Sequence, residues 1–364
     1  MRDVRFVRRT HFALMVVVVS VACGCGAGHS PDSSIVVVRP MARATLALSR
    51  LETGNRPIRR VVMASLAGRE AVFHLARQPQ RDAFQLAWSR DGSRVALVES
   101  VGTHADSGRF LPPTDVWTAR ADGSDARRLT RGGDASQVVW LSGGQILVTR
   151  SKVTIPASGL PVVSGALWVI PAAGGSGGRL TSPPVGSRDL AGSVAPEGNL
   201  VAFTRCGVAT VSRTGLLNDP CAVFTVRVDG TLLTKLADRA SDPSWSPDGS
   251  SIFFASDRDR TAKRQAGEDE VEWARELYRM NADGSDQTRL TRTTTESETQ
   301  PRVSPSGTLV AFTSTKQFGY SSSVMIANAD GSCPRRIEPQ SSATWYGVLA
   351  WRPGVAADDR RLTC

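Results

Sequence analysis

Two short turn motifs recur along most of this 364-residue chain, and no other feature constrains its fold as tightly. The first reads WSRDGSRVALV from Trp88, WLSGGQILVTR from Trp140, VAPEGNLVAFTR from Val194 and WSPDGSSIFFAS from Trp245. It continues as VSPSGTLVAFTS from Val303 and ends in a short WRPG from Trp351. Successive starts lie 52, 54, 51, 58 and 48 residues apart. The second motif reads RADGSDARRLT, PAAGGSGGRLT, RVDGTLLTKLA, NADGSDQTRLT and NADGSCPRRIE, with a fainter RLETGNRPIRRV from Arg50 to Val61.

Each motif has turn chemistry. Pro presets φ, Asp or Ser bonds back to the backbone, and Gly accepts the positive φ. Flanking runs such as LVAFTS and SIFFAS are β-branched and aromatic, as strands should be. One repeat therefore reads strand A, Pro-Asp-Gly turn, strand B, longer loop, strand C, Asp-Gly turn, strand D. Four-stranded units at a period of about fifty residues predict an all-β chain folded as a β-propeller. A two-sheet sandwich would not demand the same turns at a fixed period. Five copies are complete. The sixth is split, with strand A from YGVLAWRPG near the C-terminus and a C–D hairpin from TLALSRLETGNRPIRRVV near the N-terminus, so six blades are expected.

WSPDGSSIFFASDRD, the following LYRMNADGSDQTRLT and VSPSGTLVAFTS resemble the WD-type repeats of the TolB-like six-bladed propellers. The resemblance covers roughly residues 40 to 355 and implies the architecture. It implies little about activity, because related propellers serve both as binding platforms and as substrate-filtering domains of peptidases. Fewer than fifty residues precede the first repeat after the signal region, which leaves no room for the α/β domain of TolB itself.

The N-terminus suggests an address. Arg2, Arg5, Arg8 and Arg9 precede an eleven-residue apolar run, Phe12 to Ala22, too short to span a bilayer. A basic stretch, an apolar core and small residues are the pattern of an export signal. In ACGCGAGHS, Cys23 or Cys25 is a candidate lipidated cysteine, and cleavage after Ala22 with plain secretion is the alternative. The expected organisation is a lipoprotein-type signal over 1–25, a tether over 26–34 and a propeller over 35–364. The address is then a lipid-anchored or periplasmic envelope protein, or a secreted one.

Cys206, Cys221, Cys333 and Cys364 form an even set suited to an oxidising compartment. If they pair sequentially, Cys206–Cys221 closes a short loop and Cys333–Cys364 ties the final residue to the last hairpin. The net charge of +10 rests on forty arginines against four lysines, scattered rather than clustered, so no nucleic-acid footprint is present.

In an up-and-down blade the two repeated turns share one face, while the B–C and D–A connections share the other. The latter vary widely, as in VGTHADSGRFLPPT, SKVTIPASGLPVVSG, CGVATVSRTGLLNDPC and DRDRTAKRQAGEDEVEWAR. Recognition of a protein or envelope polymer by a monomeric disc is expected on that variable face. Phe110, Trp273, Trp345 and Tyr346 are candidate anchors there, whereas Trp88, Trp140, Trp245 and Trp351 belong between blades.

Three residues before each strand-A landmark stand Gln85, Gln137, Ala191, Asp242, Gln300 and Val348. The polar members, with Asp189 and Glu298 two residues earlier, are candidates for a ring at the channel mouth. A glycan-acting hydrolase or lyase would place its carboxylates at Asp242, Glu298 and Asp189. Other catalytic signals are weak. GGSGG at Gly174 to Gly178 falls in a C–D turn, where no helix follows the serine. His29, His74 and His104 have no zinc spacing, Asp257 and Asp259 read as a turn, and GEDEVEWAR reads as a short exposed helix. No cofactor or metal is expected.

Overall fold

Runs such as LVAFTSTK and SIFFAS place β-branched and aromatic side chains where both faces are covered, and every residue of Ser251–Ser256 is buried. The computed structural model describes residues 46–52, 58–64, 70–73, 75, 81–102, 113–154, 162–207, 211–212, 215–216, 221–260, 263–265, 271–316, 322–337, 345–354 and 360–364. All of them lie in the unit Val38–Cys364. Among the described residues there is no α-helix, only strands and a 3-10 turn at Ser142–Gly144.

The strands form antiparallel sheets in a propeller-like arrangement. One sheet runs Ala83–Trp88, Arg94–Ser100, Thr114–Arg120 and Arg127–Arg128. A second runs Ala240–Trp245, Ser251–Ser256, Glu276–Asn281 and Thr288–Arg289. A third runs Glu296–Val303, Leu309–Lys316, Ser322–Asn328 and Arg335–Arg336. An eight-stranded sheet contains two such series, beginning at Ala135–Trp140 and Arg188–Val194, joined by one parallel bridge between Gly165 and Arg188. Equivalent stitches link other neighbours, Thr114 with Asp134 and the Glu298 N–H with the Arg275 carbonyl.

The last sheet joins the chain ends. Trp345–Trp351 pairs with Leu46–Glu52, which pairs with Ile58–Ala64 and then Glu70–Val72. Leu46 stands opposite Trp351, so the N-terminal segment supplies the B, C and D strands. RLETGNRPIRRV therefore connects B to C, not C to D as its turn-like sequence suggests. With only strand A arriving from the C-terminus, the first N-terminal strand must occupy the B position.

The A strands touch one another in series, from Ala83–Trp88 through Ala135–Trp140, Arg188–Val194, Ala240–Trp245 and Glu296–Val303 to Trp345–Trp351 and back. Apolar layers fill the spaces between neighbouring sheets. Trp88, Trp140, Trp245 and Trp351 each sit in a different layer, as their repeat position requires.

Both motifs fold as their chemistry dictates. Ser89 and Ser246 donate to Asp91 and Asp248, and each also accepts the N–H that closes its A–B turn. In the C–D turns Asp122, Asp229, Asp283 and Asp330 take the hydroxyl and N–H of the residue two positions on. Gly331 has φ of +84°, and a Cβ there would lie 2.4 Å from the Leu290 carbonyl of the preceding sheet, so only glycine fits.

Disulfides join Cys206 to Cys221 and Cys333 to Cys364. The first bridges directly opposed residues of strands Leu200–Cys206 and Cys221–Arg227, at the base of a long B–C loop. The second fastens a C-terminal segment that Asn328 also grips, donating to the Leu362 carbonyl and accepting its N–H. In GEDEVEWAR the described part is not helical. Val271–Trp273 is a strand paired with Lys263–Gln265, setting Glu272 opposite Arg264. Alternation of a β-branched, a charged and an aromatic residue suits a hairpin better than a helix.

Candidate functional site

A cavity of about 460 Å³ lies where the A strands end and the A–B turns begin, at the repeated-turn end of the ring. Its walls include the four landmark tryptophans, Pro196, Pro247, Pro305 and Pro353 from the turns, and Arg90 and Arg302. Among the described residues that line it there is no Asp, Glu, His or Cys. The Trp351 indole donates to the Arg302 carbonyl at 2.7 Å. At the mouth, Arg90 reaches from its own turn to the Pro196 carbonyl, 2.7 Å away on the turn that follows Arg188–Val194.

Of the candidates read from the sequence, only Gln85 lines this cavity. Its amide clamps the next A strand, donating to the Val138 carbonyl at 3.2 Å and accepting the Val138 N–H at 2.9 Å. Gln137 accepts from Thr149, and Ser241 donates to Asp242. Each A strand slips register at or beside the position singled out, between Ala83 and Gln85, Ala135 and Gln137, Ala191 and Ser193, Ser241 and Ser244, and Thr299 and Arg302. The closing sheet slips opposite Val348. Asp242 and Gln300 lie within their bulges with φ of +56° and +55°, each preceding a proline. The repeated position thus marks a bulge that bends every innermost strand.

The remaining two carboxylates are engaged elsewhere. Asp189 is fully buried and held bidentately by Arg205 at 2.6 and 2.8 Å, and that guanidinium lies over the Phe203 and Phe224 rings. Glu298 is 1% exposed and accepts from Thr293 at 2.9 Å. Burial first, and the adjacent Glu276 second, push its carboxyl up to about 8.

Glu276 and Asp115 belong to a pattern that sequence reading passed over. Each lies within the first two residues of a C strand and gathers the arginine and threonine of the following RLT, Arg289 and Thr291 in one sheet and Arg128 and Thr130 in the other. The signal was visible as an acid thirteen residues before the arginine, Asp115 before Arg128 of RRLT at 127–130 and Glu276 before Arg289 of TRLT at 288–291.

Asp257 pairs with Arg239, and Asp259 accepts from the Tyr278 hydroxyl and Arg289, so SDRDR is a latched turn. Gly174 and Gly175 of GGSGG have positive φ between the strands Val162–Pro171 and Gly178–Arg179. Trp273 is half-buried with Arg260 over its ring. Trp345 and Tyr346 fall on the A strand of the closing sheet. Cys23, Cys25, His29, His74, His104, Phe110 and the centres of the four variable loops lie outside the described residues.

No protein-family model matches the sequence, and neither does any curated protein. Solved structures do share the fold. A TolB-type protein from Agrobacterium tumefaciens aligns with TM-score 0.54 at 16% identity, over 85% of this chain and 99% of that one. TolB from Acinetobacter baumannii aligns with TM-score 0.58 at 15% identity, over 85% and 67%. A chain of a nidogen/laminin complex aligns with TM-score 0.56 at 13% identity, over 84% and 98%. The described strands therefore have the fold of TolB-like propellers.

Proposed function

We propose that this chain is an exported, non-catalytic binding propeller that holds a segment of a protein partner at its central cavity. The observation carrying this reading is the make-up of the cavity, whose described residues offer indole and proline walls with two guanidiniums and no carboxylate, imidazole or thiol. Such a lining suits recognition, in which aromatic and arginine anchors supply most of the binding energy. Hydrolysis or lysis of a glycan needs two carboxylates about 5–10 Å apart at a concave surface. Asp189 is tied to Arg205 and Glu298 is buried against Glu276, so neither is free for that work. The neighbours that carry the TolB name, and the one solved with a protein partner, accord with binding.

In this reading the ring has six blades, the eight-stranded sheet counting as two joined by the same stitch that links other neighbours. Two disulfides support passage through an oxidising compartment. Residues 1–25 act as the export signal, with Cys23 or Cys25 as the lipid anchor and 26–34 as tether, and the propeller works as a monomer. The variable loops flank the partner on the opposite face, and the polar residues Gln137, Asp242 and Gln300 shape the innermost strands between the two.

Crosslinked pull-downs from the native envelope test the proposal with two variants, one with its B–C loops shortened and one with the cavity filled by Ala87→Trp. Recovery of one partner that Ala87→Trp abolishes while melting is unchanged is the expected result. Recovery indifferent to Ala87→Trp, or no recovery by the wild type, overturns the cavity as the binding site.

A further inference from the structure

The residues immediately before the six landmarks are Ala87, Val139, Ser193, Ser244, Arg302 and Ala350. Five of these six line the cavity, Ser244 being the exception. Equivalent strands bring equivalent positions to one level, so this is a ring of small or short side chains interrupted by a single long cation. Ser193 and Ser244 use their hydroxyls on the next A strand, accepting the N–H of Trp245 and Val303. Arg302 has no such role. Its guanidinium donates to the Pro301 carbonyl at 2.8 Å, and among the described residues no carboxylate forms an ion pair with it.

Asp242, on the neighbouring A strand, is close enough to favour the charged guanidinium. Burial nevertheless outweighs it, and the Arg302 pKa is lowered. A desolvated cation that its surroundings do not fully compensate gains from an anion brought to it. Guanidinium recognises planar carboxylates with two parallel bonds. Arg90 adds a second cation at the mouth whose bond is to a carbonyl, not to an acid.

We propose that Arg302 anchors an anion subsite within the central cavity, taking a carboxylate carried by the bound partner segment. This rests on the cavity being the binding site and adds the chemical class of group it selects. An acidic side chain and a chain-terminal carboxylate present the same chemistry, and the indole walls favour an apolar flank beside it.

The tryptophans around the cavity provide the readout. Full-length protein is titrated with N-acetyl-leucine and separately with N-acetyl-leucinamide, which differ only in the carboxylate, while tryptophan emission is followed. The acid is expected to give a saturable change at least about tenfold tighter than the amide. Arg302→Gln is expected to erase that difference while melting as the wild type does. Should Arg302→Gln not fold, the acid-against-amide comparison on the wild type decides alone. Equal responses to the two probes overturn the subsite and leave the cavity as a binding site, whose own fate is read from the Ala87→Trp pull-down. No saturable response to the acid, or discrimination persisting in a folded Arg302→Gln protein, also overturns it.

Discussion

Glu298 and Glu276, on neighbouring sheets, are each 1% exposed and are joined through Thr293. Thr293 bridges them, its N–H on Glu276 and its hydroxyl on Glu298, and Arg289 and Thr291 complete the Glu276 side. Glu296 is the third acid near the pair, sharing Ser314 with Glu298. Burial beside two other acids favours the protonated form of the Glu298 carboxyl.

Stability should therefore fall with rising pH. The Glu298 carboxyl is raised from 4.5 to about 8 by burial and then by Glu276, so the folded state holds a proton that the unfolded state has released. The contribution is fully present below pH 4.5 and is lost as pH climbs to about 8. Glu99, pushed by burial to about 7, adds a loss of the same sign. Melting temperatures between pH 4 and 9 should decline less in Glu298→Gln than in the wild type. Parallel declines would contradict a proton held by Glu298.

Removing half of the Asp189–Arg205 pair should be costly. Asp189→Ala leaves a guanidinium with 14% side-chain exposure and no counter-charge, for a loss of about 3–5 kcal/mol. Replacing both residues with apolar ones should recover much of that. Chemical denaturation of the two variants measures the difference, and a harmless Asp189→Ala would show the pair to be ornamental.

Gln85→Leu should destabilise the ring without disturbing a single sheet. Both of its bonds run to Val138 on the next A strand, and leaving buried backbone groups unpaired costs about 1–3 kcal/mol. The check is a lower denaturation midpoint with an unchanged far-UV spectrum.

The Cys333–Cys364 bridge closes a separation of 31 residues, which the chain-entropy model values at about 3–4 kcal/mol. Cys364→Ser should lose that order of stability and make the terminal segment open to protease, although Asn328 and the Arg361–Asp330 pair still hold it. Non-reducing electrophoresis should show a mobility shift on reduction. Its absence would contradict both bridges.

The turns made the architecture legible, because Pro, Asp and Gly act locally and need no tertiary information. Cysteine order gave the pairing for a related reason, since each pair closes one local excursion. The site was harder to read. Polar residues three places before each landmark invite a functional reading, yet Gln85, Asp242 and Gln300 stand at bulges, and a bulge is not visible in one strand alone. Asp189 needed Arg205 sixteen residues away, and Glu298 needed Glu276 from another sheet. Arg302 was legible only by comparing the six copies at the position before the landmark, where it is the odd member. The split of the closing sheet was not legible, because a Gly-Asn pair in the sequence suits a connection from B to C as well as one from C to D.

Binding at the cavity is tested by a photocrosslinker placed at Ala87 inside it, with a control placed at the exposed Leu232 on a C–D turn. After irradiation in the native envelope, the crosslinked peptides are mapped by mass spectrometry. One partner segment is expected at Ala87, carrying a carboxylate beside the crosslink, and none at Leu232. Crosslinking at Leu232 but not at Ala87, or at neither, would contradict a binding propeller that works through its central cavity.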